Sequence, residues 1–298
     1  MIKKYILKII GPKQLKLKLR TLGIILKLEP IVRSDNVKLE ARLAKTKGEI
    51  KSAQQLRFKV FYKELSAHPN ILTRFTRKDK DTFDKLCHHM LVIDHAKIKK
   101  GVLLTRQKKE NVVGTYRLLP QRINKIGGGF YSQDEYSLEA LLRRHSEKKF
   151  LELGRSCVLK DYRRKSTIEL LWQGVWKYIK DNNFDVMIGC ASFQAKNPKD
   201  IELPLSFLYH NCLAPREWLV KAQPSRYVNM NMIPKDKIDT KEAFRLMPPL
   251  LKGYLRLGAY VGDGAVIDKQ FGTIDVFIIM PKKNIEQRFI DKFSIKES

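Results

Sequence analysis

The stretch LELGRSCVLKDYRRKSTIE, residues 151–169, places a carboxylate, Glu152, and a guanidinium, Arg155, in a run that otherwise reads as an apolar strand. Strand side chains alternate, so Glu152, Gly154 and Ser156 face one way and Leu151, Leu153, Arg155 and Cys157 the other. Strict alternation therefore separates Glu152 from Arg155. A glycine inside a strand often marks a bulge, and a bulge at Gly154 would bring both charges to one face and splay the strand. An ion pair at a strand end explains the same residues, and the stretch alone leaves both readings open. Next come Lys160, Arg163, Arg164 and Lys165, a basic turn, and then Ser166 three residues before Glu169. This S-T-I-E pattern predicts a capping box and a helix starting at Ser166. The free N–H groups of a helix N-terminus suit a phosphate, and cations on the approach reinforce that. A carboxylate beside a splayed strand, followed by a phosphate-binding helix start, suits acyl transfer from a pantetheine thioester to an amine.

The elements that must hold these residues alternate along the chain. Alternating residues near 38–43 read as a half-buried strand, 48–65 as a helix, 77–89 as a charged loop, and MLVID as a strand. GVLL at 101–104 and VVGTYRLL at 112–119 read as strands. Gly127, Gly128 and Gly129 make a loop. FLELGRSCVL is a strand, TIELLWQGVWKYIKDN a helix, and FDVMIGCASF a buried strand. Helices near 200–211 and 248–257 and a last strand, TIDVFIIMP, complete a mixed α/β sheet flanked by helices. The organisation expected is a basic amphipathic arm at 1–34, one domain at 35–285 and a tail at 286–298.

The 298 residues carry 59 Lys and Arg against 31 Asp and Glu, a formal net charge of +28 that draws polyanions. Hydrophobic residues make up 43%, which excludes a disordered chain. The four cysteines, Cys87, Cys157, Cys190 and Cys212, form no CxxC pair, which fits a reducing compartment. No run approaches the ~18 apolar residues of a spanning helix. The expectation is a cytoplasmic protein, peripheral on the inner face of the cytoplasmic membrane through its basic arm. Cys87, His88, His89, Asp94 and His95 include metal-ligand types, but their spacing matches no zinc site, and no metal is expected. Cys157 has no nearby His partner and reads as a buried apolar residue.

Residues 38–281 resemble the ornithine lipid N-acyltransferases, through AQQLRFKVFYKE, VVGTYRLLP, GGGFYSQDEY, LELGRSCV with YRR, IELLWQGVWKYI, IGCASF and PPLLKGYLRLGAYVGDGAVID. The resemblance implies the fold of the Gcn5-related acetyltransferases and the acyl-homoserine lactone synthases. It also implies transfer of a 3-hydroxyacyl chain from acyl carrier protein to the α-amine of L-ornithine, giving lyso-ornithine lipid. No permanently bound cofactor is implied; the donor is the carrier's 4'-phosphopantetheine thioester. A separate O-acyltransferase would follow. Arg57, Phe61, Asp81, Asp84, Arg117, Glu152 and Arg155 are the positions this pattern shares with the lactone synthases. His88 departs from it, standing where the family usually has an acid, and RRKSTI lacks the glycines of the usual acetyltransferase phosphate loop.

On this pattern Glu152 is the general base, Asp81 and Asp84 hold the acceptor's positive groups, and Arg57, Arg117 or Arg155 hold its carboxylate. Backbone N–H near Gly154 polarises the thioester. Lys160, Arg163, Arg164, Lys165 and Ser166 receive the donor's phosphate and its acidic carrier. Other acceptors (glycine, glutamine, lysine), a lactone-type signal synthase, and a non-catalytic basic protein binding membrane or nucleic acid are the competing readings. No nucleic-acid motif accompanies the charge, so nucleic acid is not expected as a partner.

Overall fold

The computed structural model describes residues 32–34, 37–96, 111–121 and 129–293. The arm expected at 1–34 lies almost wholly outside them, as do the strand expected at 101–104 and Gly127 and Gly128. In chain order the strands are β1 (Val32–Ser34), β2 (Val37–Leu43), β3 (His88–Asp94), β4 (Val112–Pro120), β5 (Phe150–Val158), β6 (Val186–Phe193), β7 (Tyr260–Asp268) and β8 (Thr273–Pro281). The α-helices are α1 (Lys47–Arg57), α2 (Ile71–Thr76), α3 (Glu139–Arg144), α4 (Lys165–Asp181), α5 (Glu202–Cys212), α6 (Thr240–Leu246), α7 (Pro249–Arg256) and α8 (Gln287–Phe293). The helix expected at 48–65 is α1 continued by a π-helical stretch, Phe58–Glu64. Its start is fixed by a Thr46–Glu49 capping box. The segment expected as a C-terminal tail contains α8, which packs on α4 through Phe293 against Trp172 and through Lys292 paired to Glu169 at 2.7 Å.

One sheet runs β1-β2-β3-β4-β5-β6-β8-β7. All its pairings are antiparallel except β5 with β6, which α4 connects as a crossover. Along β3 the period of two sends Met90 and Val92 under α4 and sends Leu91 and Ile93 under α1. α4 lies close on the sheet because residue 174 is glycine: a Cβ there would sit 2.9 Å from Met90 Sδ and 3.2 Å from the Ala41 Cβ. The mixed α/β sheet expected from sequence is present.

The feature that creates a site is the brevity of the parallel pairing. β5 and β6 are in register only from Phe150–Val186 to Glu152–Ile188, after which the strands part. Gly189 stands at the fork with φ 155°, and a side chain there would run into the Leu153 carbonyl oxygen. Parallel strands joined by a helix are normally closed along their length. Here the gap between them is left for something else.

Candidate active site

The gap is a cavity of about 230 Å³ that passes through the sheet. Strand alternation divides its lining. Tyr116, Leu153, Ala191, Pro248, Leu250 and Leu251 form an apolar side beneath α7, on the α4 face. Arg117, Glu152, Arg155, Ser192, Asp268 and Asp275 form a polar side on the other face. An apolar slot opening on a charged chamber can hold an acyl thioester at one end and a zwitterion at the other.

A bulge is present on β5, one residue later than expected. Arg117 pairs with Gly154 and Thr115 with Cys157, so Arg155 and Ser156 together oppose Tyr116. The residue in the left-handed region is Arg155, φ 53°, and not Gly154. Gly154 has a different use: a Cβ there would meet nothing within 4 Å, so glycine leaves the cavity open. The bulge turns Arg155 back toward the face of Glu152, and both residues line the chamber.

Glu152 is 5% exposed. Its two oxygens accept the backbone N–H groups of Tyr131 at 2.7 Å and Ser132 at 2.9 Å, at the start of a 3-10 turn, Tyr131–Asp134. Burial raises its pKa above the ordinary carboxylate value, against the pull of those N–H groups. Arg155 stacks between Phe271 and Tyr131, at 4.5 and 4.7 Å from the ring centroids, and donates to the Tyr131 hydroxyl at 3.1 Å.

Behind the chamber lies a network of three acids and three arginines. Arg57, 1% exposed, pairs through Nε with Asp79 at 2.7 Å and through Nη2 with Asp84 at 2.7 Å. Arg117 pairs with Asp81 at 2.6 Å, and Arg155 approaches Asp79 and Asp81 at 3.4 and 3.7 Å. Asp81 and Asp84 also cap each other's backbone N–H groups. Burial pushes Asp81 upward, but the charges of Arg117, Arg155 and Arg57 hold it below the ordinary aspartate value. Of the residues that sequence placed at the acyl and amino acid site, Phe61, Arg117, Glu152 and Arg155 line the cavity. Arg57, Asp81 and Asp84 do not: Arg57 is spent on Asp84 and on Asp79, which sequence reading missed among the alternating charges of RKDKD, and Asp81 is spent on Arg117 and Arg155.

The basic turn lies outside the cavity lining, and its capping box is corrected. α4 starts at Lys165 with Arg164 in the cap position, Ser166 is its second residue, and no side chain caps it. Glu169 turns instead to Lys292. Lys160, Arg164, Lys165 and Ser166 are exposed. Arg163 is engaged with Glu64, through Nη2 at 2.9 Å, and with the Val158 carbonyl at 2.9 Å.

His88 and His89 diverge to opposite faces, to the Tyr178 hydroxyl at 2.8 Å and the Asp84 carbonyl at 3.0 Å. Burial lowers His88 to about 4. Burial likewise raises the Cys157 thiol to about 12, where it is no nucleophile at neutral pH. Sequence reading also missed Glu135, Cys190 and Asp275, which bring one possible metal-ligand atom each within 4.8 Å of one another. Burial raises Cys190 well above its ordinary value, and the Glu135 and Asp275 charges add to that. Burial, then the charge of Asp275, raises Glu135 to about 7. Burial raises Asp275 to about 6, in spite of bonds from Ser192 and Thr273.

The model of the acetyltransferase (GNAT) domain matches residues 56–173, which include β5 of the forked pair, and relatives at 34% to 48% identity are named acyltransferases, so the chain is an acyltransferase. The chain belongs to the L-ornithine N(alpha)-acyltransferase family. It is 48% identical over 255 residues to the family member of Brucella abortus, covering 86% of this chain and 88% of that one. Identity to the Agrobacterium fabrum protein of that name is 44%, covering 86% and 85%. Identity to the Rhodobacter capsulatus protein is 34%, covering 84% and 92%. Among solved structures, an N-acyl amino acid synthase from uncultured soil microbes aligns over 83% of this chain and 93% of its own, with 11% identity and a TM-score of 0.45.

Proposed function

We propose that this acyltransferase moves a 3-hydroxyacyl chain from acyl carrier protein to the α-amine of L-ornithine, forming lyso-ornithine lipid. The 48% identity to a protein named for that acceptor, over nearly the full length of both chains, carries the reading. In the reaction the ammonium loses a proton and its nitrogen attacks the thioester carbonyl. The C–N bond forms and the C–S bond breaks. The nitrogen's second proton leaves as the tetrahedral intermediate collapses, and the pantetheine sulfur departs as a thiol. Glu152, in the chamber with its pKa raised, is the proton acceptor, directly or through one water. Arg155, whose approaches to Asp79 and Asp81 are loose at 3.4 and 3.7 Å, holds the acceptor's carboxylate while Arg117 orders Asp81, and the slot under α7 takes the thioester arm. Lys160, Arg164 and Lys165 steer the acidic carrier, and the uncapped start of α4 takes its phosphate. The 3-hydroxyl remains for a separate O-acyltransferase.

The test is direct: purified protein with 3-hydroxyacyl carrier protein or the matching acyl-CoA, a panel of amino acids, and product mass. An N-acylornithine made faster from the carrier is expected. Absence of any N-acyl product overturns the reading, and a product made equally well from acyl-CoA overturns the carrier assignment.

We also propose that the enzyme works at an anionic membrane surface. Among the described residues no helix is long and apolar enough to cross a membrane. α2, however, exposes Ile71, Leu72 and Phe75 by 77%, 67% and 83%, with Arg74, Arg77 and Lys80 exposed around them. It follows directly on Leu65 and Ala67 of the cavity wall. Co-sedimentation with phosphatidylglycerol vesicles, absent with phosphatidylcholine and reduced by serine at residues 71, 72 and 75, is expected. Equal recovery with and without vesicles overturns it.

A further inference from the structure

The chamber's charges are unevenly answered. Arg117 has Asp81, Arg155 has Asp79 and Asp81, and Glu152 has two backbone N–H groups. Asp275 is 7% exposed and lines the chamber, yet among the described residues no cation lies within ion-pair distance of it. Its carboxylate accepts the neutral hydroxyls of Thr273, at 2.9 Å, and Ser192, and feels the charge of Arg155 only from beyond ion-pair distance. Asp268, at the rim, accepts the N–H groups of Gln270 and Phe271 and likewise has no cation. Behind Asp275 stands a second buried carboxylate, Glu135, whose one ion pair among the described residues is with Arg226 at 3.5 Å. Carboxylates buried beside one another without a countercharge are costly, and a cation entering the chamber relieves that cost.

Position agrees with charge. Glu152 pairs with Ile188 and Ile188 with Ile279, so Glu152, Cys190, Ser192 and Asp275 share one face of the sheet. Cys190 lies between the two acids along that face, with its sulfur within 4.8 Å of an Asp275 oxygen. In a diamino acid such as ornithine the two nitrogens are five bonds of about 1.5 Å apart, a reach of roughly 6 Å when extended. Glu152 stands opposite Ile188 and Asp275 opposite Ser192, four residues or roughly 13 Å apart along β6, a span matched by roughly 6 Å of ligand with a hydrogen bond of about 3 Å at each end.

We infer that Asp275, with Asp268 at the rim, forms the subsite for the side-chain ammonium of a diamino acid acceptor. This takes the place of Asp81 and Asp84, whose oxygens are occupied by Arg117, Arg57 and backbone N–H groups. It rests on the ornithine N-acyltransferase reading and adds the residues that select ornithine over neutral amino acids. A buried site built for a charged partner rejects an analogue lacking it far more strongly than an apolar pocket does.

The experiment compares ornithine with norvaline, the same carbon chain without the δ-amine, in wild type, Asp275→Asn and Asp268→Asn. Wild type is expected to favour ornithine by about 10²-fold or more in kcat/KM. Asp275→Asn should lower that ratio at least tenfold, mainly through the KM for ornithine, and Asp268→Asn should lower it less. Norvaline turnover reports whether a variant is folded. If Asp275→Asn does not fold, protection of wild type against thermal unfolding by ornithine, absent with norvaline and weakened in Asp268→Asn, supports the subsite. Equal protection by both overturns it. A preference for ornithine retained in Asp275→Asn, or absent in wild type, also overturns it while leaving the N-acyltransferase reading intact. Wild type that acylates no amino acid sinks the parent reading instead.

Discussion

Two groups of acids flank the same cavity and differ in how they are answered. Asp79, Asp81 and Asp84 face Arg57, Arg117 and Arg155, three against three. Glu135 and Asp275 face one another, and among the described residues the one ion pair either makes is Glu135 with Arg226 at 3.5 Å, while Arg155 acts on Asp275 from farther off. The first group has the form of a brace. It ties the end of α1, the turn at 82–85, β4 and the β5 bulge together. The second has the form of a receptor, because its compensation must come from outside. Charge type alone does not tell the two apart; partners do.

The largest effect should come from breaking the brace. Arg57→Met leaves Asp79 and Asp84 buried without their main cation, and loss of one partner of a buried pair costs about 3–5 kcal/mol. Urea unfolding at pH 7.5 measures it. Asp275→Asn, by contrast, removes a buried carboxylate that makes no ion pair among the described residues, so stability should hold or rise in the same assay. If both variants lose stability equally, the distinction between brace and receptor fails.

The two groups should also respond to pH with opposite sign. Glu135, raised from 4.5 to about 7, and Asp275, raised to about 6, hold protons more tightly folded than unfolded. Their contribution is complete below the ordinary carboxylate range and is lost as pH rises toward 7. Asp81, held below its ordinary value, contributes above that range and loses its contribution on acidification. Glu135→Gln should therefore remove a fall in unfolding free energy on the order of 3 kcal/mol between pH 4.5 and 7. A wild-type slope unchanged in the variant contradicts this.

How far the sequence foretold this contrast depends on the kind of signal. The α/β sheet was legible because period-two strands and a long amphipathic helix leave local patterns. Glu152 and Arg155 were legible as charges out of place in an apolar run. The position of the bulge was not, since glycine is a common but not obligatory bulge residue, and the geometry here puts Arg155 in the left-handed region. Ser166 shows the same limit: the S-x-x-E spacing is present, but Glu169 has a better partner 123 residues away in Lys292. Asp275 sat within TIDVFIIMP as an ordinary polar residue of a strand. Only the folded β6–β8 register sets it beside Cys190 and Ser192 on the cavity face. Pairings among RKDKDTFD, Arg57, Arg117 and Arg155 are likewise tertiary, so sequence named most of the charges but could not tell brace from ligand.

Glu152 stands between the two groups, bonded to backbone N–H groups and, among the described residues, in no ion pair, and burial outweighs those N–H groups and the more distant charge of Arg117, so its oxygens stay basic enough to take a proton. Glu152→Gln should lower kcat by ~10² and abolish the acid limb of the kcat–pH profile, with ornithine KM changed less. Loss of kcat with the acid limb intact would make Glu152 only a holder of the Tyr131–Asp134 turn.

The exposed turn of Lys160, Arg164 and Lys165 gives a third regime, in which water screens the charge. Arg163 is separate, because its guanidinium is tied to Glu64 and Val158. Exposed charges contribute little to stability, but they add along the approach of an acidic partner. Glutamate at all three positions should leave unfolding free energy within about 1 kcal/mol of wild type. KM for acyl carrier protein should rise about tenfold at low salt, with the gap closing toward 1 M salt as the screening length falls to ~3 Å. A KM shift that persists at high salt would mean that these cations contact the phosphate directly, in a geometry closer to the paired acids than to a steering field. No shift at either salt would place the carrier elsewhere on the surface.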